Sequence, residues 1–293
     1  MNKIVRILPG IFLSLLSLSS CDGLFTEDCI YKGYLHARNG FRPPSDMGTP
    51  EQAEMNLMVF PLTGNGVAEY DNLSIPFNGS GDAYGTLHIG SYEFLACNKD
   101  VNILEDAGSA ATVRLRVPTE QGKITAEQGY AYSSSVTGTV MTDDTLHVTA
   151  PMRQYVRRLD IELTATEGDY SRVQSATATL SGVASAADMA TGDRSVAAQV
   201  TNAFRQDDNK FTIFFRLLGI VPTETHTLTV DITFNNGDTQ RVVSDLTEAI
   251  RDFNNGTKPV KLTGNLLLPV EAGVTGATIT GWNEVESGNG DAN

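Results

Sequence analysis

Four histidines and three cysteines are the side chains of this chain best suited to metal binding or nucleophilic chemistry, and their spacing assembles neither. His36, His88, His147 and His226 form no His-Glu-x-x-His pair. His88 and His147 fall inside alternating apolar and polar runs, where a histidine defaults to a solvated or edge position of a strand. Serines are numerous, but no Gly-x-Ser-x-Gly elbow presents one as a nucleophile. Acidic pairs such as Asp207-Asp208 sit in turn-like sequence, whereas glycoside cleavage needs two carboxyls facing each other across a cleft. Gly64-Asn65-Gly66 and Gly79-Ser80-Gly81 do not lead into a helix through Lys-Ser/Thr, so neither reads as a phosphate loop. The expectation is therefore no enzyme, with no catalytic residue, no metal and no cofactor.

The chemistry that the sequence does suggest is at Cys21. A short basic N-terminus (Lys3, Arg6) precedes an apolar stretch and then Leu18-Ser19-Ser20-Cys21, the layout of a secretory signal peptide over residues 1–20. The stretch is interrupted by Pro9 and Gly10 and falls short of the roughly 20 apolar residues that a spanning helix needs. Leu-Ser-Ser-Cys is similar to the lipobox of bacterial lipoproteins. That resemblance implies cleavage before Cys21, lipidation of its thiol with chains such as palmitate, and a membrane partner reached through the lipid. Cys29 and Cys97 remain. An oxidising compartment favours pairing them, and two free buried thiols are the competing reading.

From Cys21 onward 273 residues remain, with 19 basic against 35 acidic side chains. So acidic a chain repels nucleic acid, and none is expected as a partner.

Alternation dominates the rest. Leu228, Val230, Ile232 and Phe234 are separated by polar residues, as are Leu159, Ile161 and Leu163; Val113, Leu115 and Val117; and Leu146, Val148 and Ala150. Phe211, Ile213, Phe215 and Leu217 alternate likewise, interrupted by Phe214. Period two puts one face on a core and the other in water, and favours antiparallel sheets. Asn235-Asn236-Gly237-Asp238 is a hairpin signal, and Asp143-Asp144, Gly168-Asp169 and residues 206–209 mark other turns. One helix is expected after Asp245, with Glu248 completing a capping box, Leu246, Ala249, Ile250 and Phe253 on one face, and Gly256 ending it. The expected organisation is a lipidated segment and loop (21–50), a β-sandwich over 51–150, a second over 151–286, and a disordered tail over 287–293.

Cys21, Glu27-Asp28-Cys29, the strand at 55–60, the run Gly90-Ser91-Tyr92-Glu93-Phe94-Leu95-Ala96-Cys97-Asn98 and the closing Ile279-Thr280-Gly281-Trp282-Asn283 come in an order that resembles the fimbrillin-like and fimbrial-anchor lipoproteins of the Bacteroidetes. The resemblance implies an all-β chain of two tandem transthyretin-like (Ig-like) sandwiches, lipid-anchored in the outer membrane at the cell surface and acting as a structural or adhesive subunit. Its partners would be other fimbrial subunits, joined by a donated strand that supplies backbone hydrogen bonds and apolar side chains. Val274, Ala277, Ile279 and Trp282 are the candidate donor or final strand. In stalk subunits of that group an arginine-specific protease removes the N-terminal strand. Here Arg38-Asn39 is a candidate site, while Arg42 precedes Pro43, a departure that favours an anchor or accessory role. Asp144-Thr145-Leu146 is similar to an O-glycosylation triad of exported Bacteroidetes proteins, making Thr145 a candidate acceptor. The alternative function is a non-polymerising surface lipoprotein that binds glycan or a host ligand.

Overall fold

The computed structural model describes residues 31–40, 55–62, 73–98, 104–105, 108–269 and 276–285. Among them the chain is almost entirely β-structure. The first group of strands is β1 (Lys32–Asn39), β2 (Met55–Pro61), β3 (Leu73–Pro76), β4 (Asp82–His88) and β5 (Gly90–Asn98). Short strands follow: β6 (Leu104–Glu105), β7 (Arg114–Arg116), β8 (Thr119–Glu120) and β9 (Lys123–Ile124). Then come β10 (Tyr132–Val140), β11 (Thr145–Ala150), β12 (Arg153–Gln154) and β13 (Arg157–Glu167). The last are β14 (Val173–Asp188), β15 (Arg194–Ala203), β16 (Arg205–Asp207), β17 (Lys210–Leu217), β18 (Thr227–Phe234), β19 (Thr239–Asp245), β20 (Val260–Leu267) and β21 (Thr278–Val285).

A three-stranded sheet, β11-β1-β4, faces a five-stranded one, β12-β10-β5-β2-β3. Leu35 and Ala37 of β1, Leu57 and Val59 of β2 and Phe94 of β5 meet between them. A second pair follows: β16-β17-β13-β20-β21 faces β19-β18-β14-β15-β9-β8. Its core joins Leu159 and Ile161 to Phe211 and Phe215 on one side, and to Val230 and Ile232 on the other. These are the residues whose alternation the sequence displays, because a pleated strand sends every second side chain to the same face.

Residues 108–118 run between the two sheet pairs. Val113, Leu115 and Val117 are buried there against Leu95 and Cys97 of β5 and Tyr155, Ala187 and Met189. β5 is thus covered on both faces, which explains the unbroken apolar run from Phe94 to Cys97. β7 pairs with β14 and β9 with β15, so residues 114–116 and 123 pair with strands beyond residue 150, the expected boundary between the two sandwiches.

The expected helix after Asp245 is not α-helical. Residues 247–252 make successive turns and Phe253–Asn255 form a single 3₁₀ turn. Leu246, Ile250 and Phe253 are nonetheless buried, so the apolar spacing reads the core correctly. Asp245 caps Thr247 N–H at 2.8 Å, while Glu248 turns outward to Arg251 instead of completing the box. Asn254 accepts from Ile220 N–H and donates to Ile220 O, a tertiary clamp that competes with helix continuation.

Candidate functional site

β1 and β21, the first and last described strands, are held very differently. β1 is central in its sheet. Residues 34–39 pair in parallel with 145–150 of β11, and residues 32–38 pair antiparallel with 82–88 of β4. Leu35 and Ala37 point inward and are fully buried. At Gly33 any side chain would collide with the Met141 carbonyl oxygen and lie 2.6 Å from Val140 Cγ1, so only glycine lets β1 pass this close to the turn after β10.

β21 is the outermost strand of its sheet, and its outer edge meets no other described strand. Its register against β20 steps from Thr263↔Asn283 to Asn265↔Thr280, three residues on β21 for two on β20. Gly281, at φ +68°, absorbs the extra residue as a bulge. The bulge reverses side-chain parity: Ala277 and Ile279 turn inward before it, and Trp282 turns inward after it. The Trp282 indole Nε1 donates to Ser244 Oγ on β19 at 2.7 Å, and Ala277 N–H donates to Gln240 Oε1 at 3.1 Å. β21 therefore closes one side of the second sheet pair, with its backbone on β20 and its side chains reaching β19. Thr278, Thr280, Asn283, Glu284 and Val285 stay exposed.

The outer face of the three-stranded sheet gathers a second group. The strand register sets His36 beside both His147 and Tyr84. His36 stacks on Tyr84 with centroids 4.7 Å apart and planes 7° from parallel, and meets His147 edge-on at 5.2 Å. His36 Nε2–H donates to Asp82 Oδ1 at 2.8 Å. With His36 neutral, its bare Nδ1 accepts at 3.2 Å from His147 Nδ1, which must carry the hydrogen. The His36 hydrogen bond, assisted by Arg38 Nε at 3.2 Å, holds the Asp82 carboxyl below the usual range. Tyr34 and Tyr84 are 53% and 61% exposed on the same face. Among the described residues no group of three or more His, Cys, Asp or Glu could hold a metal ion.

Of the site residues expected from sequence, Cys21, Cys29 and Val274 lie outside the described residues. Cys97 is a free thiol buried against residues 110–117, where loss of solvent pushes its pKa up to about 12. Thr145 opens β11, is exposed, and borders the shallow pocket of Tyr34, His36, Tyr84 and His147. Ala277, Ile279 and Trp282 do lie together on the last strand, packed as a seam against the core. The His36–Asp82–Tyr84–His147 group escapes sequence reading because its members come from three strands whose register no local pattern reveals.

Two sheet pairs closed by a terminal edge strand define the class: an all-β, multi-sheet protein. The family model for the fimbrillin-A associated anchor proteins Mfa1 and Mfa2 matches residues 44–288. The chain belongs to this family, which is one of cell-surface fimbrial structural proteins. The fold is similar to that of the fimbrial anchor protein Mfa2 from Porphyromonas gingivalis, at 13% identity and TM-score 0.58, covering 86% of this chain and 96% of that one. It is also similar to a candidate adhesin from Bacteroides ovatus, at 13% identity and TM-score 0.61, covering 81% and 89%. A candidate adhesin from Bacteroides thetaiotaomicron aligns at 11% identity and TM-score 0.55, covering 83% and 93%. No curated protein matches.

Proposed function

We propose that this chain is a lipid-anchored fimbrial anchor or accessory subunit of the outer membrane that joins other subunits through β-strand augmentation. The observation that carries the anchor role is the position of β1. Arg38 and Asn39 are paired to β11 on one side, and Arg38 to β4 on the other, which keeps that peptide bond out of a protease's reach unless the sheet opens. A retained β1 leaves the lipidated Cys21 joined to the folded protein, and the acyl chains then bear the load of the fibre. β21 supports the augmentation step: it is an edge strand with few inward side chains, and an edge strand's free N–H and C=O groups are a template for a partner.

Two measurements test this. Cys21→Ala protein should leave the membrane fraction, and firm attachment without Cys21 would overturn the anchor. Full-length protein mixed with a fimbrial stalk subunit should form a complex that survives mild denaturant, and a variant lacking residues 276–285 should not. An equally stable complex from that variant would overturn β21 as the contributing strand.

A second reading, a non-polymerising glycan- or host-ligand-binding lipoprotein, draws support from the exposed Tyr34–His36–Tyr84 face, since clustered aromatics offer a stacking platform. Binding to a polysaccharide array that is lost in Tyr34→Ala/Tyr84→Ala protein, with no complex formed with stalk subunits, would favour it.

A further inference from the structure

The second sheet pair carries a polar cleft of about 600 Å³ between the 124–128 segment and strands β13, β15 and β17. Three arginines, Arg158, Arg205 and Arg216, converge on it in a chain whose formal net charge is −14. Arg158 and Arg216 stand directly opposite each other in the β13–β17 register. Like charges at such a position are destabilising unless something compensates them. Asp160 and the Phe214 ring hold Arg158, with the guanidinium 4.6 Å from the ring centroid. Glu127 at 3.0 Å and the Tyr130 ring at 5.2 Å hold Arg216. Arg205 is exposed and has no acidic partner among the described residues.

Gln128 gives the independent sign of a ligand. It is 2% exposed, lines the cleft, and both its Nε2 and its Oε1 lack a hydrogen-bond partner. Nε of Arg216, on β17 and also lining the cleft, is likewise buried and unpartnered. A buried amide left unpaired at both ends loses its hydration with nothing in return, and is rare in native proteins. A ligand with one acceptor and one hydroxyl beside it would satisfy all three atoms. Thr125, Thr201, Asn202 and Thr212 add further hydroxyl and amide groups. Strands β13 and β17 are paired on both sides, so on that wall the cleft offers side chains and not a free backbone edge.

We propose that this cleft binds an acidic saccharide, its carboxylate received by the arginines and a neighbouring hydroxyl by Gln128. This goes beyond assembly and uses a surface distinct from β1, β21 and the Tyr34–Tyr84 face.

The test is calorimetric titration of the detergent-solubilised full chain with tetragalacturonate, neutral galactotetraose and hexaglutamate. Tetragalacturonate should bind, weaken with salt, and lose about tenfold or more in affinity in Arg205→Gln and in Arg216→Gln, as expected for loss of a charge-assisted hydrogen bond. Galactotetraose should bind at least about tenfold more weakly, for the same reason. Gln128→Met keeps the volume and removes the orphaned amide. It should lose affinity while its melting temperature holds or rises. No binding of tetragalacturonate, equal binding of galactotetraose, equal or tighter binding of hexaglutamate, or unchanged affinity in the Arg205 variant would each overturn the proposal. A fall in melting temperature for Gln128→Met would overturn the role of its amide, because it would make Gln128 a structural hydrogen-bonding residue.

Discussion

The Trp282 ring lies directly on Gly264: a side-chain carbon added at residue 264 would come within 3.2 Å of Trp282 Cε3 and 3.2 Å of Leu163 Cδ2. A side chain on β20 at this point would have to push aside the only aromatic anchor of β21, which rests there. Gly264→Ala should push the indole outward and destabilise the strand by about 1–2 kcal/mol, the usual cost of overpacking. Hydrogen exchange should quicken at residues 278–285 well before it quickens in β13 or β14. Uniform quickening would show that β21 does not open separately.

Gly281 holds the bulge that lets Trp282 face inward. Gly281→Ala must place a Cβ at φ +68°, which costs about 1–2 kcal/mol. The expected outcome is a lower urea midpoint with an unchanged slope, together with more exposed indole fluorescence. A change in midpoint with the fluorescence unaltered would mean that the bulge does not set the orientation of Trp282.

Arg38 lies in a doubly paired strand with its side chain exposed. Native protein treated with an arginine-specific protease should be cut at 38–39 far more slowly than protein in mild urea, with mass spectrometry reading the fragments. Fast native cleavage at this bond would remove the basis for a retained N-terminal strand.

Acid sensitivity should trace in part to His226. It is buried, packs its ring against Gly182, and burial pushes its pKa below the ordinary 6.5. Below that value the unfolded imidazole binds a proton and the folded one does not, so stability falls as pH falls from 6.5 toward the lower folded value. His88 is displaced in the same direction, again chiefly by burial. His226→Gln should flatten the loss of stability between about pH 7 and 5, measured by urea unfolding, without abolishing it while His88 remains. An unchanged pH slope would rule out His226 as a contributor.

Much of the strand pattern is legible locally. The alternating runs at 159–163, 211–217 and 228–234 fall inside β13, β17 and β18, and Asn235-Asn236-Gly237-Asp238 makes the β18–β19 hairpin with Gly237 at φ +87°. Asp208, at φ +55°, turns β16 into β17. The helix after Asp245 misled because its 3.6-residue spacing is real, yet Asn254 is tied to Ile220 and the segment closes as turns. The arginine cleft was less legible still: Gln128 sits between exposed Glu127 and Gly129, and nothing in that local sequence foretells a buried amide.

What the sequence by itself determined is the all-β class, the inward face of each strand and the apolar content of the core, because side-chain periodicity is a local property of the backbone. It also carried the lipobox-like Cys21 and the family resemblance. Only the tertiary structure decided that β1 lies between two strands while β21 lies at an edge, that residues 114–116 and 123 pair beyond their own half, and that His36 meets His147 across 111 positions. Those outcomes depend on which strands pair and in what register, and pairing is fixed by non-local burial that no single segment encodes.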